Sequence, residues 1–364
     1  MNILYDHQFF PTLRFSGITR YHYELAKYLV KQRDCDISIF MGWHINEFAF
    51  DLIAKEAKHF FGMRRPPIPG TERLWSFLSK HGLSIFSLLH KADIYHQTYY
   101  SYLLPNFEGK RILTVHDMIY FLFPQYFDKS DKTREHTRKS VEMADGIIAV
   151  SENSKKDLMR ILNVPEHKIK VIYEANSLAN IPSPGNPVKC PYILYVGQRF
   201  HWKNFVILLN VFTHSVTLNK NFKLVCFGGW DWTKSEKEII SKFSLQDRII
   251  KISGPDELLA TFYAHANAFV YPSLYEGFGL PILEAMHYSC PVIASNTSSI
   301  PEVGGEAALY FDPTNEEMLE HVLLKVLNTE SIAKDLAHKG VAQETKFSWE
   351  KCGKETYDFY KRIL

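Results

Sequence analysis

The chain has 364 residues, 46% hydrophobic and 23% charged, and its 42 lysines and arginines nearly balance 40 acids for a formal charge of +2. That length exceeds what one ordinary core fills and suits two domains, while the balanced charge supplies no overall basic field for nucleic acid. The five cysteines (Cys35, Cys190, Cys226, Cys290, Cys352), odd in number and without a Cys-x-x-Cys, read as reduced thiols of a cytoplasmic protein and not as a disulfide frame or zinc site.

In chain order, Asn2-Ile3-Leu4-Tyr5-Asp6 lacks the basic start and longer apolar run of a secretory leader and reads as a first strand. No apolar stretch approaches the ~20 residues needed to span a bilayer. In the first half, strands are predicted at 3–5, 37–41, 94–96, 112–116, 146–150 and 170–173, and helices at 17–31, 132–144 and 154–162. Ser151 and Asn153 stand where a side-chain oxygen caps a helix start. Residues 180–191 hold four prolines and a glycine and read as a linker. The alternation then restarts, with strands at 192–196, 223–227, 249–252, 268–271 and 292–294 and a helix at 205–218. This pattern predicts an α/β fold. It consists of two doubly wound, Rossmann-like domains, 1–178 and 179–346, facing each other across a cleft that takes the ligand at the strand C-termini.

The densest chemistry lies at 268–284, Ala-Phe-Val-Tyr-Pro-Ser-Leu-Tyr-Glu-Gly-Phe-Gly-Leu-Pro-Ile-Leu-Glu. A buried strand ends at Pro272-Ser273, a loop carries Gly277 and Gly279, and a helix starts near Leu280-Pro281, where proline is tolerated. Free N–H groups and the dipole of that first turn favour an anion. Glu276 and Glu284 flank it, so the segment suits a ligand bearing both phosphate and hydroxyls, such as a nucleotide sugar. A dinucleotide fingerprint is excluded, because its third glycine position holds Leu280 or Ile282. Nor do the acids form a hydrolase pair: retaining hydrolases need ~5–5.5 Å between carboxyls, and eight helical residues rise ~12 Å.

Glu276 and Glu284, with seven residues between them, in and just after Pro-Ser-Leu-Tyr-Glu-Gly-Phe-Gly-Leu-Pro, resemble the donor-site signature of retaining family 4 glycosyltransferases of the GT-B fold. Further segments follow that family's order and approximate spacing: Ser16-Gly17-Ile18-Thr19-Arg20-Tyr21, Thr114-Val115-His116-Asp117, Tyr195-Val196-Gly197-Gln198-Arg199 with Lys203-Asn204, Phe227-Gly228-Gly229, and Ser295-Asn296-Thr297-Ser298-Ser299. The resemblance covers nearly the whole chain. It implies transfer of a hexose from a GDP- or UDP-sugar to an acceptor hydroxyl, without a metal or other cofactor. It implies that Glu276 contacts the transferred sugar and Glu284 the ribose, with Gly277, Phe278, Gly279 and Leu280 forming the loop around the donor. Gln198 and Gly228 would line the donor site, and Gly17 would let backbone approach the phosphates from across the cleft. Lys203 and Arg199 would stabilise the leaving diphosphate. Family members often have arginine directly after the glycine; here Gln198 stands there and Arg199 follows. His116 would lie close to the transferred sugar, with Asp117 beside it. The final helix, 347–364, would pack back on the first domain. Asp6-His7-Gln8 and Pro301-Glu302-Val303-Gly304 are similar to enzymes of O-antigen and capsule assembly, many using GDP-mannose, which favours mannose by analogy.

Each residue also has an ordinary reading: turn glycines, a solvated Glu284, an idle Lys203, a structural His116. Asp34-Cys35-Asp36 matches a metal-dependent Asp-x-Asp but precedes a strand of the wrong fold, and the 16 histidines lack metal-ligand spacing, so no catalytic metal is expected. Residues 55–80 interleave Lys55, Lys58, Arg64, Arg65, Arg73 and Lys80 with Phe60, Phe61, Met63, Trp75 and Phe77. That suits an anionic membrane surface or a lipid diphosphate, and equally a charged helix pair covering the sheet. The expected protein is cytoplasmic, peripheral on the inner membrane face, with a nucleotide sugar and a saccharide or lipid-linked acceptor as partners. Two alternatives stand beside it: a sugar-nucleotide epimerase or phosphorylase, the latter requiring pyridoxal phosphate on a lysine, and a nucleotide-sugar-binding protein without turnover.

Overall fold

The computed structural model describes the chain apart from residues 9, 11–16, 47–49, 67, 69, 102, 179, 180, 183 and 184 and the side chains of 51 and 52. Two compact units result: Met1–Glu174 together with Ser348–Leu364, and Ala175–Phe347. The first unit thus closes at Glu174, ahead of the expected 178, and takes back the chain from 348 onward.

The first unit holds seven strands: β1 (Asn2–Tyr5), β2 (Asp36–His44), β3 (His59–Arg64), β4 (Ile94–Gln97), β5 (Lys110–Val115), β6 (Gly146–Ala149) and β7 (Ile169–Val171). Their order is β3-β2-β1-β4-β5-β6-β7 and every pair is parallel. A parallel sheet is covered on both faces, so its central strands must be apolar throughout. In β1, Ile3, Leu4 and Tyr5 are all fully buried. Alternation sends Ile3 and Tyr5 into a cluster with Leu25, Cys352, Phe359 and Tyr360, and Leu4 into another with Phe40, Leu83, Phe86 and Tyr95. Helices Gly17–Leu29 and Trp349–Ile363 supply the first cluster, and helix Glu72–Leu89 the second. The C-terminal helix lies close against helix Gly17–Leu29 because Gly353 has no side chain: a Cβ there would meet Tyr28 Cγ at 2.3 Å. Its hold is completed by a Tyr5–Tyr360 hydroxyl contact of 3.2 Å and by Lys361, 2.9 Å from Asp34.

Two expectations are corrected. Residues 55–80 are not a helix pair: the segment forms the edge strand β3, then a turn, then the first half of helix Glu72–Leu89. Edge pairing with β2 satisfies the backbone there, and Lys58 is held by Asp36 at 2.6 Å. The helix expected over 205–218 stops at His214. Ser215 is extended, and its hydroxyl accepts Leu218 N–H, starting a second short helix, Val216–Asn221.

The second unit contains β8 (Tyr192–Val196), β9 (Lys223–Phe227), β10 (Ile249–Ile252), β11 (Ala268–Tyr271), β12 (Val292–Ser295) and β13 (Ala308–Phe311), all parallel, in the order β10-β9-β8-β11-β12-β13. Strand order reverses between β8 and β11, as it does between β1 and β4 in the first sheet. Loops leaving two strands at such a reversal diverge and open a crevice at the strand C-termini. Among the described residues no helix is long and apolar enough to cross a membrane.

Candidate active site

In the second unit, the loops after β8 and β11 flank the reversal, and each brings one charged residue to it. Lys203 Nζ donates to both Glu276 carboxylate oxygens, at 2.7 and 2.9 Å. Lys203 ends a tight turn, His201–Lys203, and the next residue, Asn204, is anchored by its amide to Pro313 O at 2.8 Å. The ammonium also lies 5.6 Å from the Tyr271 ring centroid. Tyr271 is kept protonated by burial and, secondarily, by the adjacent Glu276 carboxylate, to which it is hydrogen-bonded.

The backbone of Glu276 is stapled from the loop after β12. Its N–H donates to Ser298 Oγ at 2.9 Å, and Ser299 Oγ donates to the carbonyls of Glu276 and Phe278 at 2.9 and 2.8 Å. Gly277 and Phe278 are buried, the latter against Phe347 at 5.8 Å, and Gly279 turns the chain at φ 117° into helix Leu280–His287. Only glycine adopts that φ without strain. Pro281 has no N–H and the Ile282 N–H donates to Gly279 O at 2.9 Å, so the anion site at this helix start consists of the Leu280 N–H and the helix dipole. On the same helix, Glu284 accepts from Tyr263 OH at 3.0 Å; burial first, and then the Glu284 charge, keeps that phenol protonated.

Space remains over the ends of β8 and β9. A Cβ on Gly197 would meet nothing within 4 Å, and one on Gly228 only Gly197 N, at 3.9 Å. Gln198 accepts from Tyr195 OH through its carbonyl at 2.7 Å, while its Oε1 is buried without a hydrogen-bond partner among the described residues.

Arg199, on the same loop, is held by its own neighbours. Its Nε donates to Glu236 at 2.9 Å, its Nη2 donates to the carbonyls of Trp230 and Asp231 at 2.5 and 3.1 Å, and the guanidinium sits 4.5 Å from the Trp232 ring centroid. The side chain is only 4% exposed. Glu236 is the third residue of helix Lys234–Lys242 and closes a capping box with Thr233, so a buried carboxylate waits within reach. In this geometry Arg199 ties the loop after β8 to the 228–233 loop.

Gly17 and His116 belong to the first unit. Gly17 opens helix Gly17–Leu29 and is exposed; its neighbour Ser16 lies outside the described residues. His116 follows β5, and its Nδ1 is 2.8 Å from Glu174 Oε1. Asp117, the acid adjacent in sequence, instead accepts Ile119 N–H at 3.0 Å. Around the reversal of the first sheet, His7 and Gln8 after β1, Tyr99 and Tyr100 after β4, and Trp75 and Lys80 of helix Glu72–Leu89 line a cavity of about 710 Å³. Sequence reasoning assigned no role to Ser298 and Ser299, although their run was visible as a motif. It missed Glu174, Glu236 and Tyr263, since nothing local marks a residue whose partner lies far along the chain, and it missed Tyr271, which reads as an ordinary strand residue although its partner Glu276 is five positions on.

Residues 15–175 match Glycosyltransferase Family 4, and residues 177–343 match Glycosyl transferases group 1. O-antigen chain mannosyltransferase B of Escherichia coli is 31% identical across 96% of both chains. O-antigen chain mannosyltransferase RfbU of Salmonella typhimurium is 31% identical over 59% of this chain and 60% of its own. Among solved structures, sucrose-phosphate synthase from Thermosynechococcus elongatus has a TM-score of 0.80 at 20% identity, covering 100% of this chain and 98% of that one. The Anabaena protein HepE, solved with UDP-glucose, has a TM-score of 0.74 at 14% identity and full coverage of both chains. Two parallel-sheet α/β domains and these likenesses define a transferase of the GT-B fold. The chain belongs to glycosyltransferase family 4.

Proposed function

We propose that the protein transfers mannose from GDP-mannose to a hydroxyl of a lipid-linked saccharide in surface polysaccharide assembly, with retention at the anomeric carbon and without a metal or other cofactor. The observation that carries this reading is the Lys203–Glu276 pair at the strand reversal, in a chain 31% identical to an O-antigen mannosyltransferase over 96% of its length. Without donor, ammonium and carboxylate neutralise each other. When donor binds, Glu276 accepts the sugar's hydroxyls and Lys203 turns to the diphosphate, where negative charge grows as the sugar–phosphate bond breaks. A fixed cation stabilises that charge without reorganising at the moment of reaction. Glu284 takes the ribose hydroxyls, and the first turn of helix Leu280–His287 takes phosphate oxygens. Retention needs no enzyme nucleophile: the acceptor oxygen bonds to the anomeric carbon, the bond to phosphate breaks on the same face, and the departing phosphate oxygen takes the acceptor proton. The enzyme's task is positioning and charge stabilisation.

On the acceptor side, the cavity of the first unit offers the Trp75, Tyr99 and Tyr100 rings for a sugar face. Helix Glu72–Leu89 exposes Leu74, Phe77, Ile85 and Leu88 on its outward side, with Arg73 and Lys80 on its flank also exposed. At 100° per residue these apolar positions form one stripe. A stripe of this kind bordered by cations fits an anionic lipid surface.

The test is transfer of radiolabelled sugar from GDP-mannose, against UDP-glucose, into extracted lipid-linked saccharide, with and without chelator, and with the product anomer read by NMR. Transfer from the UDP-sugar alone, an inverted product or a strict metal requirement would each overturn the corresponding part. Co-sedimentation with anionic vesicles should fall when Phe77 and Leu88 are changed together to Ser; unchanged binding removes the membrane contact from the reading.

A further inference from the structure

His116 and Glu174 come together across a strand. In the order β5-β6-β7, His116 follows β5 and Glu174 lies three residues beyond β7, so the carboxylate reaches over the end of β6 to meet the imidazole. Both side chains are nearly enclosed, 10% and 6% exposed. The 2.8 Å contact is made by Nδ1, while Nε2 is buried and has no hydrogen-bond partner among the described residues. An ionised carboxylate can only accept, so the shared proton belongs to Nδ1, and in the neutral ring Nε2 is left with a free lone pair.

The surroundings hold that arrangement. Tyr21 packs edge-on against the His116 ring at 5.1 Å and 89°, with its own hydroxyl tied to Thr114 Oγ1 at 3.1 Å. The main-chain N–H of His116 donates to Tyr100 OH at 3.2 Å. Behind Tyr21, His96 has both ring nitrogens engaged, Nε2 with Thr114 and Nδ1 with Tyr360 OH, and burial drives its pKa down to about 3. It therefore brings no competing positive charge at neutral pH.

We propose that Glu174 is a positioning residue that locks His116 in the Nδ1-protonated tautomer, so that Nε2 accepts a hydrogen bond from a hydroxyl of the transferred sugar. This rests on the reading of His116 as a sugar contact, and the two can fail separately. Selectively ¹⁵N-histidine-labelled protein, with the His116 signals identified by their loss in His116→Asn, should show a protonated Nδ1 and a bare Nε2. Glu174→Leu should lose that tautomer preference and lower kcat roughly tenfold or more, with GDP affinity by calorimetry within about twofold of wild type. Glu174→Gln, whose amide oxygen still accepts from Nδ1–H, should restore most of both and serves if the leucine variant does not fold. A wild-type spectrum with the proton on Nε2, or a Glu174→Leu protein with unchanged tautomer and kcat, overturns the proposal. Full turnover by His116→Asn beside the expected wild-type spectrum would instead remove His116 from the sugar site and leave the tautomer assignment standing.

Discussion

Replacing Arg199 by alanine separates the two roles one guanidinium can have here, loop anchor or diphosphate clamp. Arg199 and Glu236 are 4% and 12% exposed. Removing one member of a buried ion pair leaves the other charge uncompensated and costs ~3–5 kcal/mol. Glu236 would retain one donor, Thr233 N–H at 2.7 Å, and the freed carbonyl of Trp230 is beside an exposed side chain where water can replace the lost bond. Both facts place the expected loss near the lower bound, about 3 kcal/mol. For a unit of this size each kcal/mol lowers the melting temperature by about 2–4 °C, so the transition of Ala175–Phe347 should fall by roughly 6–12 °C. Scanning calorimetry reads this directly. Arg199→Met combined with Glu236→Gln should recover part of the loss, because no unpaired charge remains. A melting temperature within about 2 °C of wild type, together with a ~100-fold fall in turnover, would refute the anchoring role and return Arg199 to the diphosphate.

Glu276→Ala should lower turnover while nucleoside diphosphate affinity stays nearly intact, whereas Glu284→Ala should weaken nucleotide binding by ~1.5–3 kcal/mol in calorimetry; equal losses of affinity would remove the division of labour. Lys203→Ala should reduce turnover ~10²-fold or more, and wild-type activity should persist in excess EDTA; activity abolished by chelator and restored by magnesium would contradict a metal-independent diphosphate site. Tyr357 and then Lys361 hold the Asp34 carboxyl down at about 2, below its ordinary 3.8. A depressed acid contributes stability that is complete above the unfolded value and lost as pH falls through the folded one. Asp34→Asn should therefore flatten the melting curve between about pH 4 and pH 2; an unchanged acid slope would show that the contact does not hold the C-terminal helix in solution.

Much of the fold can be read from continuous runs of Ile, Val, Leu and Tyr closed by glycine or proline. Tyr192–Val196, Lys223–Phe227 and Ala268–Tyr271 have the predicted bounds because parallel strands buried on both faces leave no polar alternation to misread, and the edge strand Ile249–Ile252 has them too through its isoleucines. β3 was not legible: His59-Phe-Phe-Gly-Met-Arg has no β-branched residue, lies at a sheet edge and is largely open to solvent, so its charge and aromatic content dominated the reading. In the site, the residues that could be named in advance share a short motif with their chemistry, as Glu276 does with the glycine turn. Glu174 and Glu236 could not be named, since their partners lie 58 and 37 residues away. The contact that holds Arg199 to Glu236 was hidden for the same reason. A cation beside a glycine turn is visible in sequence; the buried acid that captures it is not.

The hydroxyls of Tyr5 and Tyr360 touch across 355 positions of chain, and the sheet face containing Ile3 and Tyr5, with Leu25 of the helix beside it, is closed by Cys352, Phe359 and Tyr360. During synthesis, at roughly 5–20 residues per second, the residues from 175 onward take on the order of 10–40 s to emerge. For that interval the first unit waits with an uncovered apolar face. The second unit, contiguous in sequence, can finish folding before the first although it is made later. Loss of the segment from Cys352 to Tyr360 would leave that face open and cripple the domain made first.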